Sequence, residues 1–499
     1  TGLGYYSAGY QIYSLLLALS SIGIPSVVSK LVSERIAKGD NKGAQRIFKI
    51  CMTFFVGIGI VLSFGLFFGA EYIAIAMYDV ADTKYVMQVL APAIAFVSAS
   101  AVFRGYFAGL NDMKPTSYSQ IIEQFFNCVL SITFVYALLG REPYIMAAGG
   151  NLSTTLAIIL TFVYLIIYNK RKKIKIEPNQ KSEEDELTAM KLLKKILIIS
   201  VPVTISSIIS VVSPLIDTAT VSRCIQTAFA NMYPVKEQLE ALAMSKNGIL
   251  SKVDTLVNLP IAVNVAFSTA LVPAISGAKA KNDHETATKR VSFSLMTSML
   301  IGLPCVVGLV VFAQPILNLL YPKANEGAVL LQLVAIGVIF SILNQTISGA
   351  LQGFGKVMVP AFALGAGCVV KLILNLILLR IPALNVYGAA IATIACHATA
   401  FAIVFIVLQK YIKLDLPFKK FVIKPGIAAG IMGVCSYTIY NLLSNIFLHG
   451  NKATIISIIF AVIIYLMSVV ALKIYSKEDI KMLPKGDKIL NILTKMKIY

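Results

Sequence analysis

Apolar residues run along this chain in long blocks separated by short polar loops. Blocks 47–68, 145–168, 387–408 and 453–472 each reach about 20 residues, the length at which a helix crosses a hydrocarbon core. In lipid every backbone polar group must be satisfied inside its own segment, so these blocks are expected to be helices. Extended along the chain, the pattern predicts thirteen crossings: 5–30, 47–69, 86–110, 116–139, 145–168, 196–221, 249–275, 291–313, 326–353, 360–380, 387–409, 425–447 and 453–473. The sizeable polar intervals are a linker at 169–195 and a stretch at 222–248 that reads as a loop. The chain is therefore expected to be an all-α polytopic membrane protein.

Composition agrees. Of 499 residues 57% are hydrophobic and 14% charged, against about 25% charged in soluble domains. The net charge of +20 could suggest nucleic acid, but its placement points elsewhere. Of the 44 Lys and Arg, 34 fall in one alternating set of loops and 8 in the other. By the positive-inside rule the first set, with the C-terminus, is expected in the cytoplasm. No nucleic-acid partner is expected; the plasma membrane and its anionic lipids are. The seven cysteines form no C-x-x-C pair, so no metal site or cofactor is expected. No Walker A loop, H-E-x-x-H or G-x-S-x-G motif is present, which argues against an enzyme.

The sequence also repeats itself. Pro25 and Pro273 each close a helix ahead of a basic loop with an aspartate, Asp40 or Asp283, and lie 248 residues apart. Gly105-x-x-x-Gly109 resembles Gly349-x-x-x-Gly353 at an offset of 244. Glu123-x-x-x-Asn127 resembles Lys371-x-x-x-Asn375 at 248. Parallel repeats of this kind are a transporter architecture. They predict an N-terminal lobe over 1–168, the linker 169–195, a C-terminal lobe over 196–409, two extra helices over 425–473 and a basic tail over 474–499. The counterpart of helix 196–221 would precede Thr1, so a further first helix is expected, completing two pseudo-symmetric six-helix lobes.

Three stretches carry a family resemblance: Gly23-Ile-Pro-Ser-Val-Val-Ser-Lys-Leu-Val-Ser-Glu34, Arg104-Gly-Tyr-Phe-Ala-Gly-Leu-Asn-Asp-Met-Lys-Pro-Thr116 and Leu351-Gln-Gly-Phe-Gly-Lys356. With Tyr387-Gly-Ala-Ala-Ile-Ala-Thr393 they resemble the polysaccharide transporters of the multidrug/oligosaccharidyl-lipid/polysaccharide (MOP) flippase superfamily. The branch of stage V sporulation protein B is the nearest in appearance, and MurJ-type lipid II flippases are more distant. The resemblance implies fourteen helices, two lobes around a cavity, and transfer of a polyprenyl-pyrophosphate-linked saccharide across the cytoplasmic membrane by alternating access. Envelope-synthesis enzymes would be partners. The sister branch, cation-coupled multidrug exporters, is the alternative. Where MurJ-type relatives carry cavity arginines, this chain has Gln11, Ile12 and Thr255, with Lys252 one turn from the last.

Candidate site residues follow from the cost of polar groups in lipid. Gln120, Glu123, Gln124 and Asn127 share a helix face and could line a hydrophilic path, with Glu123 a candidate for ion coupling. Lys371 and Asn375 form a second stripe; Lys371 either meets the substrate's pyrophosphate or pairs with Glu123. Arg104 could receive the pyrophosphate on entry. Lys252 and Asp254 open a helix on its outer side and need separate partners, one of which could be Asp217. Asp217 and Asp254 are further candidates for ion coupling. His397 reads as a polar interhelical contact.

Overall fold

The computed structural model describes residues 1–172, 189–281, 283–414, 416–446, 450–482 and 486–495; residues 173–188 of the predicted linker lie outside these. The described residues form helices and turns and no strand. Among the described residues thirteen helical spans are long and apolar enough to cross a membrane, and they take in all thirteen predicted crossings.

The first crossing is two helices, α1 (Gly2–Ser20) and α2 (Ile24–Ala37), broken at 21–23. There follow α3 (Asn41–Tyr78), α4 (Thr83–Gly109), α5 (Lys114–Ala137), α6 (Pro143–Arg171), α7 (Ala189–Phe229) and α8 (Lys236–Ala280). Then come α9 (His284–Val311), α10 (Ala313–Leu320), α11 (Ala328–Gly353), α12 (Met358–Leu378) and α13 (Tyr387–Gln409). A π turn at Lys419–Ile423 leads into α14 (Lys424–Ile446), followed by α15 (Gly450–Ala471), α16 (Lys477–Lys481) and α17 (Gly486–Lys495). The stretch 222–248, predicted as a loop, is helical except at 230–235. Its polar residues are good helix formers, and α7 and α8 simply run on past the apolar blocks, leaving 230–235 as the connection.

Chain contacts divide the molecule into two units. The first is Thr1–Ser251 with Asn375–Asn385, the second Lys252–Leu374 with Val386–Tyr499. In the first unit α4 packs against α1, α2, α3 and α6. Helix α7, which the sequence assigns to the C-terminal lobe, packs here on α1, α2 and α3. Ser222 Oγ and Gln226 Nε2 donate to the Tyr78 carbonyl at 2.7 and 3.0 Å, fixing α7 to the end of α3. In the second unit α11 packs against α9, α10 and α13, and α14 and α15 pack on α9 and α10.

Close packing in membranes depends on small residues at helix crossings. A Cβ at Gly105 would sit 2.8 Å from the Pro25 carbonyl oxygen, and one at Gly109 2.9 Å from that of Ser29. In the second unit a Cβ at Gly349 would sit 2.5 Å from the Ser268 carbonyl oxygen, and one at Gly353 3.0 Å from that of Val272. The same two-glycine crossing is thus built twice, with Pro25 and Ser29 answering to Ser268 and Val272, 243 residues on. Asp40 caps α3 through the Gly43 amide at 2.7 Å, and Asp283, again 243 residues on, caps α9 through the Thr286 amide at 2.9 Å. Helices α5 and α6 begin at Lys114 and Pro143, and α12 and α13 begin 244 residues later, at Met358 and Tyr387. The repeat therefore has an offset of 243–244 throughout. The pairings at 248, Pro25 with Pro273 and Glu123 with Lys371, are displaced by about one helical turn. In the corrected register Lys371 answers to Asn127.

Candidate functional site

The polar stripe on α5 divides once the helix is packed. Glu123 turns toward α4, where Arg104 Nη2 reaches its Oε2 at 2.5 Å and Arg104 Nε donates to Ser119 Oγ at 3.0 Å. The pair is partly open, with side-chain exposures of 17% for Arg104 and 25% for Glu123. Glu123 is thus matched by Arg104 inside the first unit, which replaces the predicted alternative of a Lys371 partner. Asn127, one turn on, faces α6. Its Oδ1 accepts from Ser153 Oγ at 2.6 Å and Thr154 Oγ1 at 3.3 Å, a helix-to-helix clamp. Gln120 and Gln124 face away from both neighbours and are exposed, along with Ser117, Ile121 and Phe125. So the stripe combines a half-open ion pair, a structural amide and two bare amides.

The α4–α5 turn next to this pair is fixed by Asp112. Its carboxylate accepts from Tyr168 Oη at 2.8 Å and from the Lys172 ammonium at the end of α6. Burial works to raise the Asp112 pKa, but those two donors outweigh it and hold the group below the usual carboxylate range.

A second polar cluster lies in the first unit, between α7 and the last part of α12. Asn375 Nδ2 donates to Asp217 Oδ1 and to Thr220 Oγ1, each at 2.9 Å. Asn375 is fully buried and Asp217 is 4% exposed. Asn375 Oδ1, the other end of the amide, is buried with no hydrogen-bond partner. The sequence singled out Asp217 and Asn375 but not their meeting, since they lie 158 residues apart.

Lys252 does not depend on Asp217. Its Nζ donates to the carbonyls of Ala324 at 2.5 Å and Glu326 at 3.3 Å and lies 5.4 Å from the Tyr321 ring centroid. It is 6% exposed and fastens the α10–α11 connection to α8. Asp254 is half-buried on the same helix. Lys371 is 2% exposed. One network escaped sequence reasoning altogether. Asn264 Nδ2 donates to Gln345 Oε1 at 2.9 Å and Thr346 Oγ1 at 3.1 Å, and its Oδ1 accepts from Ser298 Oγ at 2.8 Å. All four are neutral and scattered over three helices, so no charge or spacing marked them.

Residues 1–279, more than half of the chain, match the family described as Polysaccharide biosynthesis protein, and residues 246–377 match MatE. The chain belongs to the polysaccharide biosynthesis protein family. Among the relatives of this family member, the uncharacterized membrane protein YabM of Bacillus subtilis is 28% identical over 98% of this chain and 90% of its own length. Stage V sporulation protein B of the same organism is 24% identical over 97% and 91%. The lipid II flippase MurJ of B. subtilis is 25% identical over 82% and 77%. Solved structures share the fold. MurJ in an inward closed conformation aligns at a TM-score of 0.66 and 16% identity, covering 93% of this chain and 96% of that one. An inward-facing MATE transporter of the MOP superfamily aligns at 0.68 and 15%, covering 82% and 92%. This polysaccharide biosynthesis family member thus has the fold of those two structures and, among its described residues, thirteen helical spans fit to cross a membrane.

Proposed function

We propose that the protein is a flippase that moves a polyprenyl-pyrophosphate-linked saccharide across the cytoplasmic membrane by alternating access. The half-open Arg104–Glu123 pair beside the bare amides of Gln120 and Gln124 carries this reading. An ion pair left partly open on membrane helices is costly unless it meets water or a polar ligand. Arginine offers a planar fork of donors suited to a phosphate, and exposed amides suit sugar hydroxyls. The similarity to stage V sporulation protein B and to lipid II flippases supports a lipid-linked substrate. The headgroup would enter from the side of the basic loops, held by the positive-inside rule to be cytoplasmic, with the C-terminus on that side. Two six-helix lobes would then rock about it, and the lipid tail would stay in the bilayer. Enzymes that make or use the saccharide are the expected partners.

The buried carboxylate of Asp217, costly inside a membrane protein unless it has a role, supports coupling to a cation. One elementary charge moved through 100 mV contributes about 2.3 kcal/mol, roughly a fifty-fold shift between two states. The test is leaflet accessibility of a labelled polyprenyl-pyrophosphate saccharide in vesicles with and without the protein. Protein-dependent transfer is expected; accessibility unchanged by the protein sinks the proposal. The MatE match over residues 246–377 favours a second reading, a cation-coupled exporter of multiple drugs. Binding of a lipophilic cation in place of the lipid-linked saccharide would select it.

A further inference from the structure

The first unit carries a groove along α3 that the transport reading does not use. Its lining descends the helix from Lys49 through Thr53 and Gly57 to Val61, one residue per turn, and Leu193 near the start of α7 forms the opposite wall. Packing sets the position of that wall. Leu192 and Ile196 are buried in one apolar core with Ile47, Cys51 and Phe55, which lays the first turns of α7 along α3. Gly57 contributes no side chain to the space between the helices, and a Cβ there would meet nothing within 4 Å. The space left is about 770 Å³. Past Val61 the same face of α3 presents Phe64 and Phe68 at 60% and 77% exposure. An apolar face of this kind on a membrane helix meets hydrocarbon, so the groove opens toward lipid.

The lining is graded in polarity. Lys49 is exposed at the mouth, in the basic stretch 30–49 that the positive-inside rule puts in the cytoplasm. Thr53, one turn deeper, offers a hydroxyl. Below it the lining is apolar, and the parallel ridge that starts at Ile50 is apolar throughout. A glycerophospholipid has the same order of parts: phosphate, ester oxygens, acyl chain. Length agrees. The twelve residues from Lys49 to Val61 make about 18 Å of helix, close to the roughly 15 Å of hydrocarbon in one leaflet. Charge agrees too. Lys49 is the one ionisable residue of the lining. Lys194, which follows Leu193, is a second exposed cation. Among the described residues no carboxylate pairs with Lys49.

We propose that the α3–α7 groove binds an anionic glycerophospholipid of the inner leaflet, with the phosphate at Lys49 and one acyl chain laid along Gly57 and Val61. This lipid is not cargo. It fills the notch and ties the first turns of α7 to α3. The groove shares no residue with the Arg104–Glu123 site, so the assignment is independent of what the protein carries.

The chain contains no tryptophan, so a single introduced indole reports its own surroundings. Ile60→Trp places one beside the groove, and Val434→Trp places one on the lipid-exposed face of α14 as a reference for ordinary bilayer contact; the native residues are 43% and 70% exposed. The full chain is reconstituted in phosphatidylcholine vesicles containing phosphatidylglycerol or phosphatidylcholine brominated at mid-chain. Quenching of Ile60→Trp should need about fivefold less of the brominated phosphatidylglycerol, the order expected for one lysine at an anionic surface. Val434→Trp should show no preference. In the Ile60→Trp background, Lys49→Gln should remove the preference, and so should Gly57→Phe, which fills the groove at its open point. Equal quenching by the two lipids, or a preference that survives both substitutions, overturns the site. So does an Ile60→Trp that neither lipid quenches while Val434→Trp responds, which would show protein covering the groove.

Discussion

Arg104 and Glu123 form a pair whose charges are only partly covered, so each should matter more to transport than to folding. Glu123→Gln and Arg104→Ala are each expected to slow transfer of a lipid-linked saccharide about tenfold, the order associated with one lost charge-assisted contact. The double variant should be little worse than either alone, because residues acting as a unit are not additive. Asn127→Ala, in contrast, should lower stability by about 1–2 kcal/mol through the stranded Ser153 and Thr154 hydroxyls and leave the substrate dependence of the rate unaltered. A thermal-unfolding series alongside vesicle transfer separates the two classes. Spacing alone placed Gln120, Glu123, Gln124 and Asn127 on one face, and they do share it. What spacing could not show is that neighbours α4 and α6 cover part of that face, turning Asn127 into a clamp and leaving the glutamines bare.

Helix crossings and helix ends are where the two halves of the chain show common construction. Gly105→Val and Gly353→Val place a side chain against a backbone carbonyl that cannot retreat, so each should destabilise by about 2–3 kcal/mol. The same change at Gly57, where a Cβ meets nothing within 4 Å, should cost about 0.5 kcal/mol or less. Differential scanning fluorimetry on the three variants compares them directly. At the α4–α5 turn, Asp112 titrates below its ordinary range when folded, so the folded state binds its proton less readily than the unfolded chain. Its contribution is complete above the ordinary carboxylate range and is lost as pH falls through the depressed folded value. Acid unfolding of Asp112→Asn should therefore lack a component present in the wild type, and superimposable acid transitions would contradict the assignment. The thirteen crossings were legible because a run of about 20 apolar residues has one physical meaning in a membrane. The repeat register was not. Apolar helices match nearly as well after sliding by one turn, so Pro25 aligned with Pro273 until the glycine contacts and the Asp40 and Asp283 caps set the true offset.

At the scale of the whole chain, charge placement makes the most direct prediction. Single cysteines at Lys114, Lys279 and Lys356 should react with impermeant reagents only from the cytoplasmic side, and those at Arg141, Lys323 and Arg380 only from outside, in a background lacking the seven native cysteines. Labelling of both groups from the same side would reject the topology. The family was legible in full from short motifs spread along the chain, because each pairs a glycine or proline with a crossing that needs it. The buried clusters were not legible. Asp217 meets Asn375, and Asn264 meets Ser298 and Thr346, across intervals too long for periodicity to bridge.

The gap between α1 and α2 has its own implication. Through residues 21–23 the regular ladder lapses, with the Ile24 amide reaching back only three residues to the Ser21 carbonyl at 3.3 Å. Hydroxyls of Ser20, Ser21 and Ser98 line the spot, linked at 3.0 and 3.3 Å. The two pieces on either side are stiff, so a sideways load on this span concentrates its strain on three residues. The first crossing is in effect a jointed rod, and its hydroxyl-lined elbow sets where it yields.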